Sequence, residues 1–469
     1  MKSRYIQFLF ALLLIGGCAV GPDYKRPKVN TPATFRGSTE TVTNSFGDVP
    51  WWEVFHDEQL QHLIRVALTN NYDLRIAVSR VEQAREIIAE NRAGLFPQIN
   101  YIAAAAKGKN AVGIGNSITP TPHTVGFLGA DANLSWEIDV WGRVRRLTEQ
   151  ARAQYLATAE ARHDITVSLI AQVAANYLQL VALDRDLQIA RDTTNSFAES
   201  LRIFNLRLTG GVGSKLETMS AQALFDANAA LIPALEQQIF VEENLLSVLI
   251  GQNPGPVARV STWHGEAPPE IPPGLPSSLL QRRPDIRAAE FQLRAANAQV
   301  GVAVADFFPN LDLTSLIGQA TTNLSSFTSG AGFAWSVGAS VTGPIFQGGR
   351  LRARHRETLA IRDQAALQYQ YTVTRAFEDV SNSLVARQKS AEAAAAQARA
   401  VDAYKEALRL ALERYRLGKS NYYEVLQQQQ QLFPTERALL QNQLNQYLAT
   451  VQLYRSLGGG WQTSRGQSH

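Results

Sequence analysis

The chain of 469 residues contains one cysteine, Cys18, so no disulfide can form within it. After Cys18 no run of 18 apolar residues occurs, which leaves no segment that reads as a membrane-spanning helix. Charge of one sign is also missing: 45 bases stand against 41 acids, a formal balance of +4. That small excess, with no basic patch carrying interleaved aromatics, gives no footprint for nucleic acid. The seven histidines (His56, His62, His123, His163, His264, His355 and His469) include no pair at ligand spacing on one helix face, and no cysteine is available to join them. A metal site is therefore not expected. No glycine-rich loop follows a strand, so nucleotide binding is not expected either. No local Ser-His-Asp motif is present, and the reading is of a chain that is not an enzyme and has no cofactor. Proline and glycine are themselves absent from two long stretches, Val144–Arg207 and Leu351–Leu417.

The N-terminus has the form of a secretion signal over residues 1–17. Lys2 and Arg4 make a basic start, and Ile6–Ile15 is apolar but too short to span a bilayer. Leu14-Ile15-Gly16-Gly17-Cys18 resembles a bacterial lipobox, in which the cysteine thiol is acylated and becomes the new N-terminus. Residue 19 is Ala and not the Asp that resembles an inner-membrane retention signal, which favours the outer membrane.

The rest of the chain is written twice. Tyr72-Asp73-Leu74-Arg75-Ile76-Ala77 returns as Pro284-Asp285-Ile286-Arg287-Ala288-Ala289, and Phe96-Pro97-Gln98 as Phe308-Pro309-Asn310, both offset by 212 (285 − 73 and 309 − 97). Gly142-Arg143 returns as Gly349-Arg350, and Gly211 with Glu217 as Gly418 with Glu424, both offset by 207 (350 − 143 and 424 − 217). Two copies this long are not a solenoid of short repeats. They describe a duplicated half, with one loop five residues shorter in the second copy.

Each copy changes its period partway. From Leu128 to Ile138 the even positions are apolar, while the odd ones are Gly, Asp, Asn, Ser and Glu. In the second copy Phe333, Trp335, Val337, Ala339 and Val341 alternate with Ala334, Ser336, Gly338, Ser340 and Thr342. Such two-residue alternation predicts strands at about 97–106, 126–138, 309–318 and 333–343. Apolar on one face and small or polar on the other, they fit a membrane barrel with a wet lumen. Asp131, Asn133, Ser336 and Ser340 are the candidate lumen residues, with Leu134, Trp136, Trp335 and Val337 facing lipid.

The proline-free stretches predict helices at 144–207 and 351–417, each about 65 residues and so roughly 100 Å long. Glycine turns follow, then returning helices at 215–250 and 422–457, interrupted or kinked at Pro233 and Pro434. The expected organisation is a signal peptide (1–17), an acylated N-terminus with an extended tail (18–56), a first repeat opening on one helix from Asp57 to Gly94 (57–250), a proline-rich linker (251–276), a second repeat (277–457) and a C-terminal tail (458–469). Arg282–Glu290 reads as a capped helix start with ion pairs, and the glutamine run Gln427–Gln431 fits either a wet channel lining or a solvated face.

The lipobox, Tyr24-Lys25-Arg26-Pro27, Trp51-Trp52, Trp136-Glu137-Ile138-Asp139-Val140-Trp141-Gly142-Arg143, Arg283-Pro284-Asp285-Ile286-Arg287, Phe307-Phe308-Pro309, Pro344-Ile345-Phe346-Gln347-Gly348-Gly349-Arg350 and Tyr415-Arg416-Leu417-Gly418 together resemble the TolC-like outer-membrane efflux lipoproteins of the OprM and NodT branch, over nearly the whole mature chain. That resemblance implies a mainly α fold with a transmembrane β-barrel. Three chains would each give four strands to one 12-stranded barrel continued by a periplasmic α-barrel. It implies as partners a periplasmic adaptor, an inner-membrane RND-type pump and outer-membrane lipid, and as function a passive gated exit duct for small molecules. It places the periplasmic gate at the helix turns, where Arg207, Gly211, Glu217, Tyr415, Arg416, Gly418 and Glu424 are the candidate closing residues. After Gly418 the chain carries Lys419, Ser420 and Asn421, so no aspartate ring stands at that point.

The residues alone leave two other readings open: a duct serving type I protein secretion, and a periplasmic coiled-coil scaffold lipoprotein. Alternation in four strands argues against the scaffold. The lipobox generates a direct prediction. Mass spectrometry of the mature N-terminus is expected to find acyl chains on Cys18 and none on a Cys18→Ala chain; an unmodified Cys18 overturns it.

Overall fold

The computed structural model describes residues 19–37, 50–54, 57–109, 124–260, 274 and 276–459. The signal segment, Cys18, His56, His123, His264, His469, most of the proline-rich linker and residues 460–469 lie outside the described residues. In chain order the elements are α1 (Trp51–Val54), α2 (Glu58–Asn70), α3 (Tyr72–Ala93), β1 (Gln98–Lys109), β2 (Thr124–Ile138), α4 (Arg143–Thr209), α5 (Lys215–Ala229), α6 (Leu231–Leu249), α7 (Leu279–Arg282), α8 (Pro284–Ala305), β3 (Asn310–Thr321), α9 (Leu324–Thr328), β4 (Phe333–Thr342), α10 (Arg350–Arg416) and α11 (Tyr422–Ser456). Two compact units share them: residues 1–28, 80–159 and 288–370 form one, and residues 29–79, 160–287 and 371–469 form the other.

The first unit contains all four strands. They form one antiparallel sheet in the order β1-β2-β3-β4, and among the described residues neither β1 nor β4 has a partner on its outer edge. Register carries the alternation across the whole sheet. Ile99 pairs with Leu134, and Tyr101 with Ala132. Trp136 pairs with Leu313, and Ala132 with Ile317. Ile317 in turn pairs with Trp335, Leu313 with Ala339, and Leu311 with Val341. Directly paired residues point to the same side, so these side chains build one apolar face. Asn100, Asn133, Leu316 and Ser336 form a row on the other face, and Glu137, Asp312 and Ser340 form another. Six residues separate Trp136 from Ala130, which shares a row with Gln319 and Phe333. At about 3.4 Å per residue the aromatic-bordered band is roughly 20 Å tall.

Below the sheet the same unit is held by a strap formed by the start of the expected extended tail. Val20 N–H donates to Trp141 O at 3.0 Å. The Arg146 guanidinium, 6% exposed, donates to Val20 O at 3.1 Å and Asp23 at 3.1 Å. Asn297 donates to Pro22 O at 2.8 Å, and Glu290 takes Arg26 at 2.7 Å and Arg294 at 2.8 Å. Gly21, at φ +101°, lies so close to Gly301 that a Cβ there would come within 2.5 Å of its Cα. Only glycine permits that approach.

The second unit is helical. In α2, Leu60, Leu63, Ile64 and Ala67 are buried at helical spacing, and Asp57 caps the start by accepting from Gln59 N–H at 2.8 Å and Leu60 N–H at 3.1 Å. The single helix expected from Asp57 to Gly94 is instead two. Asn71 ends α2, its own side chain accepts from Leu74 N–H at 2.9 Å to start α3, and its amide donates to Leu249 O at 2.9 Å. The returning helix expected at 215–250 likewise divides at Ala230, leaving Pro233 in the first turn of α6, where its missing N–H leaves no helix bond unmade. By contrast, α11 continues through Pro434. Arg259 fixes the start of the linker by donating to Asp184 at 2.5 Å and to Glu243, partners that hold its guanidinium further above its ordinary range.

Arg283 sits in this unit almost without exposure, bonded to Asp285 at 2.7 Å, Asp379 at 3.0 Å and Ser456 O at 3.1 Å. Arg287 turns to Glu160 at 2.7 Å.

The sheet register predicts a labelling difference. In a Cys18→Ala background, Ser336→Cys is expected to react with a water-soluble thiol reagent in intact membranes, and Val337→Cys to resist it. Equal labelling of the two would contradict opposite faces.

Candidate functional site: the hairpin tips and the one-faced sheet

Within the second unit both long helices end in the same backbone device. At the end of α4, Val212 N–H donates to Arg207 O at 3.0 Å and Gly211 N–H to Leu208 O at 3.1 Å. At the end of α10, Lys419 N–H donates to Arg414 O at 2.9 Å and Gly418 N–H to Tyr415 O at 2.9 Å. Gly211 at φ +75° and Gly418 at φ +70° occupy the left-handed position that this Schellman closure needs. Matched offsets in the sequence are thus matched turns in space.

The start of each returning helix differs in detail. Leu216 N–H donates to Ser214 Oγ at 3.2 Å and Ser214 N–H to Glu217 Oε2 at 3.3 Å, a capping box. Asn421 caps α11 through Tyr423 N–H at 3.1 Å. Glu217 is therefore engaged within its own turn. Glu424 instead reaches Arg414 at 3.6 Å, with side chains 45% and 57% exposed. Arg416 is exposed, and among the described residues neither Arg416 nor Arg207 has an ion-pair partner.

Beneath the turns the two hairpins share one core. Phe197, Phe204, Ala221, Ala411, Tyr422, Val425 and Leu426 are buried together, with Tyr415 packed against them. The Tyr422 ring meets Phe204 edge-on at 5.2 Å and Tyr415 at 4.9 Å. Its hydroxyl lies 2.9 Å from Ser200 Oγ, Ser200 donates to Gln429 Oε1 at 3.1 Å, and the Gln429 amide donates to Ser196 at 2.7 Å. Burial raises the Tyr422 pKa, so the phenol remains a neutral hydrogen-bonding group. Gln429 of the glutamine run is accordingly neither channel lining nor solvated face. It belongs to a buried polar network, which sequence reading missed because its neighbours Gln427, Gln430 and Gln431 are exposed. Tyr415 is a packing residue at the tip, while Leu206, Val212, Leu216, Leu417 and Tyr423 stand exposed around the turns.

In the first unit, the residues expected to line a lumen share one face by register. Asp131 lies between Ile102 and Gly318, Asn133 between Asn100 and Leu316, Ser336 beside Leu316, and Ser340 beside Asp312. Glu137 and Asp312 are directly opposed, an unfavourable carboxylate pair relieved by the Arg143 guanidinium at 2.5 and 2.9 Å from Glu137. By register the only charged positions on the apolar side are 107 and 109 of β1, both at its far end.

A sheet apolar on one face and polar on the other, with helices of 67 residues attached, is the fold of an outer-membrane channel. A family model described as outer membrane efflux protein matches residues 63–252 and 275–459, the two copies found in the sequence. The chain belongs to the outer membrane efflux protein family and lies in the outer membrane. The solvent efflux pump outer membrane protein SrpC of Pseudomonas putida is 34% identical over 99% of this chain and 100% of its own length. A probable outer membrane lipoprotein of Salmonella typhimurium, SilC, is 32% identical over 98% of this chain and 99% of its own. The solved outer-membrane channel OprN is similar in structure with a TM-score of 0.84 and 32% identity, covering 95% of this chain and 100% of that one.

The capping box makes a local prediction. Glu217→Ala is expected to cost the first turn of α5 about 1 kcal/mol. Amide hydrogen exchange around Ser214 and Leu216 should rise several-fold; unchanged exchange would show that Glu217 is free for another role.

Proposed function

We propose that three copies of this chain close one 12-stranded barrel, anchored by acylated Cys18, and that the assembly is a passive gated exit duct for small molecules. One observation carries the trimer: a four-stranded sheet whose two outer edges are unpaired. Open edges are not tolerated in hydrocarbon, and four strands are too few to enclose a lumen. Membrane barrels start near eight strands, so several copies must share one, and three give twelve. In this reading the polar face with Asp131, Asn133, Ser336 and Ser340 lines the water path, and the apolar face meets lipid.

The cargo is of the kind named for the relatives, small toxic compounds such as solvents. An inner-membrane pump hands it over through a periplasmic adaptor and supplies the energy. The duct itself carries out no chemical step. Secretion of proteins through the same duct is the competing use. Efflux is favoured by the likeness of the whole chain to efflux-pump components.

The gate is assigned to the two hairpin tips. Glu424 and Arg414 make a half-exposed contact of the kind that contributes about 0.2–1 kcal/mol, and threefold symmetry repeats it. Weak repeated contacts suit a closure that an adaptor pries apart. Arg207 and Arg416 are free to meet acids of neighbouring copies, and Gly211 and Gly418 keep the turns tight.

Two measurements test this reading. Loss of the gene is expected to sensitise cells to small toxic compounds, with restoration by the wild-type chain. In planar bilayers the purified wild-type channel is expected to conduct weakly, and the combined Arg416→Ala and Glu424→Ala channel several-fold more. Unchanged conductance in an intact trimer removes these residues from the gate.

A further inference from the structure

We infer that the seam between neighbouring copies repeats, residue for residue, the β2–β3 seam inside each chain. On this basis β4 of one copy pairs with β1 of the next, Val341 opposite Ala103 and Ser340 opposite Ala104. The inference rests on the shared-barrel reading above and goes beyond it by fixing which residues meet. All of them lie in the first unit.

The two hairpins of the chain carry one register. Gln98 pairs with Ser135 in the first, and Asn310 with Thr342 in the second. The steps are 212 along one strand (310 − 98) and 207 along the other (342 − 135), the offsets at which the sequence motifs also recur. β3 is therefore the repeat of β1, and β4 the repeat of β2. The seam that joins the hairpins, β2 to β3, has a counterpart in β4 to β1, the two strands whose outer edges have no partner among the described residues. One chain cannot make that seam. The two strands stand at opposite edges of its sheet, three strand spacings or roughly 14 Å apart. A second copy can make it. β1 and β4 run in opposite directions, so a copy set edge to edge in the same orientation continues the antiparallel order.

Applying the offsets to the β2–β3 ladder gives the register. Leu134 with Ser315 becomes Val341 with Ala103 (134 + 207 and 315 − 212). Asn133 with Leu316 becomes Ser340 with Ala104, and Ala130 with Gln319 becomes Val337 with Lys107. This register keeps the apolar face continuous from one copy to the next. A slip of one residue would turn β1 over and set Ala103 against Thr342, on the polar face. A slip of two keeps the faces but breaks the repeat. Beyond the ladder, Ile138 with Leu311 becomes Ile345 beside Ile99. Ile138 and Leu311 are half-buried because they cover each other, whereas Ile345 and Ile99 are bare in the single chain. Pro344 has no N–H to give, so the ladder stops at Thr342 and Ile345 reaches Ile99 by its side chain.

The test is disulfide cross-linking of the purified full-length channel. Cys18 stays in place, and the unsubstituted channel is the control for it. Two matched pairs are made, Val341→Cys with Ala103→Cys and Ser340→Cys with Ala104→Cys. Adjacent pairs alternate between the wide and the narrow spacing of an antiparallel ladder, so one of the two lies at the narrow spacing. That pair is expected to give a covalent trimer on mild oxidation, about tenfold faster than the shifted pair Val341→Cys with Ala105→Cys, whose positions lie on a diagonal outside good disulfide geometry. Equal or faster cross-linking of the shifted pair overturns the register. Cross-linking by Val341→Cys alone also overturns it, because β4 would then meet β4. So does the absence of any cross-link in both matched pairs while native mass spectrometry finds an intact trimer. If native mass spectrometry finds no trimer, the shared-barrel reading fails and takes this seam with it.

Discussion

The backbone groups on the outer edges of β1 and β4 set the terms for everything else. In water an unpaired strand edge is an aggregation risk; in hydrocarbon each unsatisfied N–H or C=O costs several kcal/mol. The chain offers no fifth strand among its described residues, and its sheet has one apolar face across all four strands. A sheet of that kind is complete only when other copies supply the missing neighbours. Duplication of the half-sequence follows the same logic. Each copy gives one hairpin, and the two hairpins are joined through the β2–β3 ladder, so a short gene segment used twice already makes a third of a closed wall.

Duplication also explains why the two hairpin tips are alike in backbone and unlike in charge. The Schellman closures at Gly211 and Gly418 use the same hydrogen bonds because a helix of this length must be stopped abruptly. The residues that follow have diverged. Ser214 and Glu217 close on each other, whereas Asn421 takes over the cap and releases Glu424 toward Arg414. One tip is thus locally self-contained and the other has a weak contact to exchange. The buried Ser196–Gln429–Ser200–Tyr422 network lies directly beneath both tips. Such a network holds only when every member is satisfied, which makes the base of the tips rigid while the turns above it carry the exposed side chains.

How much of this was legible depended on range. Strand alternation, the proline-free helices and the glycine turns are periodic or local, and they stood in the sequence by residue number. The break at Asn71 did not, because its cause is a side chain that bonds Leu249 O, 178 positions away. Pro434 reads as an interruption or a kink, and α11 runs through it without interruption. The N-terminal strap reads only as an extended tail because its partners, Arg146, Asn297 and Glu290, lie more than 120 residues on. Glu217 was assigned to the gate from its repeat position, and the capping box three residues back was the local signal that would have assigned it to the turn. Gln429 had no local signal at all, since only burial separates it from the other glutamines of its run.

The arginine-rich starts of α4 and α10 bring these strands of argument together. Neither helix has an acid in its first turn, and both open on arginines, against the preference of the helix dipole for negative charge. On α4 that cost is offset residue by residue. Arg143 takes Glu137, Arg145 takes Asp139, and Arg146 takes Asp23 of the strap together with two strap carbonyls. The strap begins one residue after Cys18, so the chain that leads from the proposed acyl anchor is tied to the helix start just below the sheet. The sheet, the strap and the helix start are thereby tied together by one short basic segment.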